Sequence, residues 1–81
     1  MKVRVKLFAA AKELASADEI IVDVPSGGTV GDVRAAIDVI HPALKPILSH
    51  ALWAVGAEYA TADTPVNEQS EVALIPPVSG G

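Results

Sequence analysis

Between Thr29 and His41 the chain carries one long apolar stripe at helical spacing, Val30, Val33, Ile37 and Ile40, with Ala36 beside it. Thr29 with Asp32 three residues on is a start signal, a hydroxyl N-cap followed by an acid in the first turn. Pro42 stops the helix near His41. Pro46 then interrupts residues 43–51, so only a short or irregular helix is expected there. A chain of 81 residues with a single full-length helix must bury that stripe against something else. The only other periodic segments alternate at period two, so the partner is a sheet.

The first of these is Met1-Lys2-Val3-Arg4-Val5-Lys6-Leu7-Phe8. Val3, Val5 and Leu7 point one way and Lys2, Arg4 and Lys6 the other, giving a strand through about Phe8. The three basic residues read as a solvated face, or as a patch that meets an acidic partner. Residues 9–14 are Ala-rich and favour a turn or two of helix. Residues 19–24 alternate again, with Ile20, Val22 and Val24 on one face and Pro25 closing the strand. Ser26-Gly27-Gly28 is a turn, and no Lys follows it as a phosphate-binding loop requires. Leu52-Trp53-Ala54-Val55 is a third strand, turning at Gly56 into a short one around Tyr59, and residues 71–75 form the last. Strand, strand, helix and two or three further strands give an α+β fold, a mixed sheet with one main helix packed on one face. This is the β-grasp order. A ferredoxin-like fold would need a second full crossover helix, and Pro42 and Pro46 weaken the only candidate.

Composition narrows the function classes. Half of the residues are apolar (51%) but only 4% are aromatic, so the core is built from Val, Ile, Leu and Ala in one domain. The net charge of −4 argues against a nucleic-acid partner, which calls for a basic stripe. There is no cysteine, hence no thiolate nucleophile, disulfide or Cys-based metal site. His41 and His50 flank a proline-interrupted segment without acids at ligand spacing, so no metal site is expected. The acids are spread along the chain and form no close pair suited to acid–base work. No signal-peptide pattern and no membrane-length apolar run occur, and a cytoplasmic location is expected.

The chemistry is expected at the end of the chain, Val72-Ala73-Leu74-Ile75-Pro76-Pro77-Val78-Ser79-Gly80-Gly81. Pro76 and Pro77 fix φ and offer no N–H, ending the strand and favouring an extended course. Gly80 and Gly81 lack Cβ atoms and fit a channel too narrow for other residues. Five residues beyond Pro76 reach about 16–18 Å. The expected division is a β-grasp domain over 1–76 and a flexible tail over 77–81 carrying the reactive terminus. An α-carboxylate is an anion at neutral pH and a poor electrophile, so a partner must activate it with ATP. An acyl-adenylate would then accept an amine, a thiol or a persulfide.

Lys6-Leu7-Phe8-Ala9 with Lys12-Glu13-Leu14, the Ala54-Val55-Gly56 turn strand and the ending from Glu71 to Gly81 together resemble the MoaD-type sulfur carriers, the small subunits of molybdopterin synthase. The likeness in length and order covers the whole chain, and the Pro-Pro-Val-Ser-Gly-Gly ending is its specific part. The resemblance implies a ubiquitin-like fold whose Gly81 is adenylated by an E1-like enzyme and converted to a thiocarboxylate. It implies that the tail, Pro77, Val78, Ser79 and Gly80, inserts into the large synthase subunit. Sulfur then passes to cyclic pyranopterin monophosphate to form the molybdopterin dithiolene. It implies no stably bound cofactor, ATP being used by the activating partner, and no catalysis by the chain alone. Phe8, Ile75, Pro76, Pro77 and Val78 are expected to form an apolar docking patch, though each also reads as core. Lys12 reads as a charge contact or a solvated helix residue. Gly56 stands where many relatives have Asn, and both residues tolerate positive φ. Ser79 keeps the hydroxyl of the commoner Thr. Two alternatives remain: a carrier for thiamine, tungsten-pterin or tRNA thiolation, and a protein modifier whose Gly81 is conjugated to lysines.

Overall fold

The computed structural model describes residues 1–77. Its elements are β1 (Lys2–Leu7), α1 (Ala9–Ala15), β2 (Glu19–Asp23), α2 (Val30–Ile40), a 3-10 turn (Pro42–Leu44), α3 (Lys45–Leu48), β3 (Leu52–Val55), β4 (Glu58–Ala60) and β5 (Val72–Ile75). The strands form one mixed sheet in the order β2-β1-β5-β3-β4. β1 and β5 run parallel at its centre, with Val5, Lys6 and Leu7 opposite Val72, Ala73 and Leu74. All other neighbours are antiparallel. With α2 packed over one face, this is the ubiquitin-like β-grasp that the element order predicts.

Period-two alternation does its expected work in β1 and β2. Val3, Val5, Leu7, Ile20 and Val22 are buried while Lys2, Arg4, Lys6, Glu19, Ile21 and Asp23 are exposed. The buried side chains meet Val30, Val33 and Ile37 of α2, and Trp53, Val72 and Leu74 complete the layer. Asp32 caps α2: the Thr29 N–H donates to its Oδ2 at 2.9 Å, and the Thr29 hydroxyl lies 3.3 Å from the same oxygen. The tight turn before the helix explains Gly28, where a Cβ would lie 2.9 Å from the Pro25 carbonyl oxygen.

One expectation is corrected. Ile40 is 52% exposed, not part of the buried stripe. The chain turns at His41, and the 3-10 turn and α3 bring Leu44 and Leu48 under α2, filling the space that the last helical turn would otherwise cover. The first strand ends at Leu7. Phe8 stays extended as the N-cap of α1, and Ala9 takes φ +49°, which bends the chain out of the sheet. At its other end α1 closes with Ser16 left-handed at φ +54°, the Ser16 and Ala17 N–H groups donating to Glu13 and Lys12 carbonyls. No helix among the described residues is long and apolar enough to cross a membrane.

Candidate functional site

The helix-free face of the sheet is where the expected contact residues meet. Its side chains follow from register. Lys6 lies opposite Ala73, Ala73 opposite Ala54, and Ala54 opposite Tyr59, one row across four strands. The two alanines form a low floor between Lys6 and Tyr59. Lys6 and the two alanines line an open groove of about 400 Å³, bordered also by Arg4, Phe8, Glu19 and Glu71. In the next row Leu52 lies opposite Ile75, and the β1–β5 register carries Phe8 to the level of Ile75. Phe8 is 47% and Leu52 52% exposed, with Ile75 half-buried between them. The result is an apolar strip beside the point where the chain leaves β5.

Pro76 is buried, so it anchors the exit from the strand and presents little surface; Pro77 is exposed. Val78, Ser79, Gly80 and Gly81 lie outside the described residues. Lys12 sits on α1, its Nζ 2.8 Å from Asp18 Oδ1, both side chains mostly exposed. Hydrogen bonding to Asp18, with its negative charge second, raises the Lys12 pKa above 10.5, and the same contact lowers Asp18 below 3.8. Lys12 is therefore already partnered within the chain.

Leu52 and Tyr59 are also exposed on this face, and sequence reasoning did not assign them. Leu52-Trp53-Ala54-Val55 has no polar residue to mark a wet side, so alternation alone leaves its faces undistinguished. The hairpin to β4 turns on Gly56 and Ala57 at φ +58° and +70°, the paired left-handed geometry of a two-residue type I′ turn. Gly56 thus serves the turn through its backbone.

Among the described residues no polar or charged side chain is buried, and no three His, Asp or Glu side chains gather as metal ligands. What the described surface offers is shape: a shallow apolar strip where the chain leaves β5, beside a groove lined by Arg4, Lys6, Glu19 and Glu71.

Comparison with known proteins agrees with this geometry. The model of the ThiS family matches residues 5–81. The molybdopterin synthase sulfur carrier subunit of Arabidopsis thaliana is 33% identical over 81 residues, 100% of this chain and 84% of that protein. The crystal structure of SAMP1 from Haloferax volcanii superposes with a TM-score of 0.87 at 34% identity, covering 100% of both chains. A chain in the complex of subunits 1 and 2 of the molybdopterin-converting factor from Helicobacter pylori shares the fold, with a TM-score of 0.71, 22% identity and 100% of both chains covered.

Proposed function

From the chain's membership of the ThiS family, we propose that it is the sulfur carrier subunit of a molybdopterin synthase. The observation that carries this reading is the full-length likeness to the Arabidopsis carrier subunit, reaching through the Gly80-Gly81 ending. In this reading the Gly81 carboxylate attacks the α-phosphate of ATP on an E1-like enzyme, releasing pyrophosphate. A persulfide on a sulfur-donor protein then displaces AMP to give an acyl disulfide, and a thiol reduces its S–S bond, leaving a thiocarboxylate at Gly81. The large synthase subunit takes up residues 77–81, the thiocarboxylate sulfur attacks an electrophilic carbon of the cyclic pterin, and water then hydrolyses the thioester so formed, leaving the sulfur on the pterin and restoring the Gly81 carboxylate. The chain supplies the acyl group and the docking strip, and its partners supply the catalysis.

The strip of Phe8, Ile75 and Leu52 suits this role, because apolar surface beside a reactive segment fixes a partner over it. Phe8→Ala should weaken binding of the large subunit about tenfold or more, the size typical of a central aromatic anchor. Titration calorimetry checks this, and circular dichroism establishes that the variant is folded.

The decisive experiment is the intact mass of the chain after incubation with the activating enzyme, ATP and a sulfur donor, then again after adding the large subunit and cyclic pterin. A gain equal to one sulfur replacing one oxygen, lost as molybdopterin forms, is the expected result. No gain overturns the reading. A gain that persists with the pterin present points to another sulfur acceptor or to protein conjugation, and a chain found in isopeptide linkage to lysines favours the second reading. That reading, a protein modifier, rests on the likeness to SAMP1.

A further inference from the structure

We infer that the outer edge of β2 is a docking site for an extended segment of another protein that carries basic residues on either side of a central apolar one. β2 is an edge strand, with β1 on one side and, among the described residues, no strand on the other. Its unpaired backbone groups can be assigned. The Leu7 N–H donates to Asp18 and the Val24 N–H to Met1, which makes 3/22 and 5/20 the hydrogen-bonded pairs between them. The N–H and C=O groups of Glu19, Ile21 and Asp23 therefore point away from β1.

Natural edges are usually protected by proline, a bulge, brevity or charged side chains. β2 has no proline or bulge, and its charges, Glu19 and Asp23, stand only at its ends. Its register with β1 runs unbroken from Glu19 to Asp23, and its middle residues are Ile20, Ile21 and Val22. The opposite edge, β4, is only three residues long. The residues that offer free backbone at β2 are also those whose side chains stand on the helix-free face: Glu19, Ile21 at 54% exposure, and Asp23.

Charge selects the occupant. A second copy pairing antiparallel about Ile21 would set Glu19 against the copy's Asp23 at both ends, and like charges directly opposite are unfavourable. An incoming strand with Lys or Arg opposite Glu19 and Asp23, and an apolar residue opposite Ile21, meets attraction at both ends. Lys2 already lies 3.2 Å from Asp23, but that pair is well exposed and can share a second cation. Lys6, across from Glu19, makes no ion pair among the described residues, which leaves the Glu19 carboxylate available. The strand would extend the sheet by main-chain hydrogen bonds, with the flanking charges giving specificity.

The test uses the full chain, labelled for NMR, and a capped peptide with the core Lys-Thr-Val-Thr-Lys. The expected result is saturable shifts, with slowed hydrogen exchange at the Glu19, Ile21 and Asp23 amides and unchanged exchange at Ile20 and Val22. A Glu-Thr-Val-Thr-Glu peptide should bind about tenfold more weakly or worse, and the double variant Glu19→Lys, Asp23→Lys should reverse that preference. Equal binding of the two peptides, no saturable shift, or shifts confined to β4 would overturn the proposal. So would the same alternating protection arising at high concentration without peptide, which would identify the occupant as a second copy.

Discussion

Ala57 holds φ at +70°, a conformation in which an L side chain crowds its own carbonyl. The type I′ turn requires positive φ at both central positions, and only the first is glycine. Ala57→Gly should therefore raise stability by about 0.5–1 kcal/mol, seen as a higher urea midpoint with unchanged slope. The Lys12–Asp18 contact makes a different kind of prediction. Asp18 is depressed below 3.8, so its contribution is present above that pH and lost as pH falls through the lower folded value. Lys12 is raised, so its contribution is present below pH 10.5 and lost as pH rises through the raised value. Carboxyl NMR should find the Asp18 midpoint below 3.8, and Lys12→Met should return it toward 3.8. Overall stability should barely change, since both groups are exposed.

Elements that face water on one side were legible in the sequence, because polar and apolar residues alternate along them. β1 and β2 announce their inner faces through Lys2, Arg4, Lys6, Glu19 and Asp23. α2 announces its start through Thr29 and Asp32, and Asp32→Ala should cost about 1 kcal/mol by leaving the Thr29 N–H without its carboxylate. Urea unfolding checks that value. What stayed hidden lacked such contrast. The connection from Pro42 to Leu48 contributes Leu44 and Leu48 to the core, and no helical stripe of useful length marks them. Ile40 continued a stripe whose burial depends on what lies beneath the helix end, a tertiary fact. Phe8 and Ile75, expected in one patch, stand at one level of the sheet, whereas Pro76 turned inward and Leu52 lies opposite Ile75 on an all-apolar strand.

At the scale of the molecule, 81 residues support about 4–12 kcal/mol of stability by the usual yield per residue. Leu74 is fully buried on β5, against β1 and Trp53. Truncating such a side chain typically costs 2–5 kcal/mol, so Leu74→Ala should consume a large share of the total. Thermal unfolding should show the loss, while the exposed Ile21→Ala should leave the midpoint nearly unchanged. The position of β5 has a further result. The strand written last among those described sits at the middle of the sheet, clasped between β1 and β3. A ribosome emits the chain from the amino end, so β1 waits without one neighbour until residues 72–74 emerge, and the half-made product has an open seam where its centre belongs. Acquisition of the native sheet waits until residues 72–75 have emerged. A chain cut short before Val72 lacks its keystone strand, and proteases should clear it.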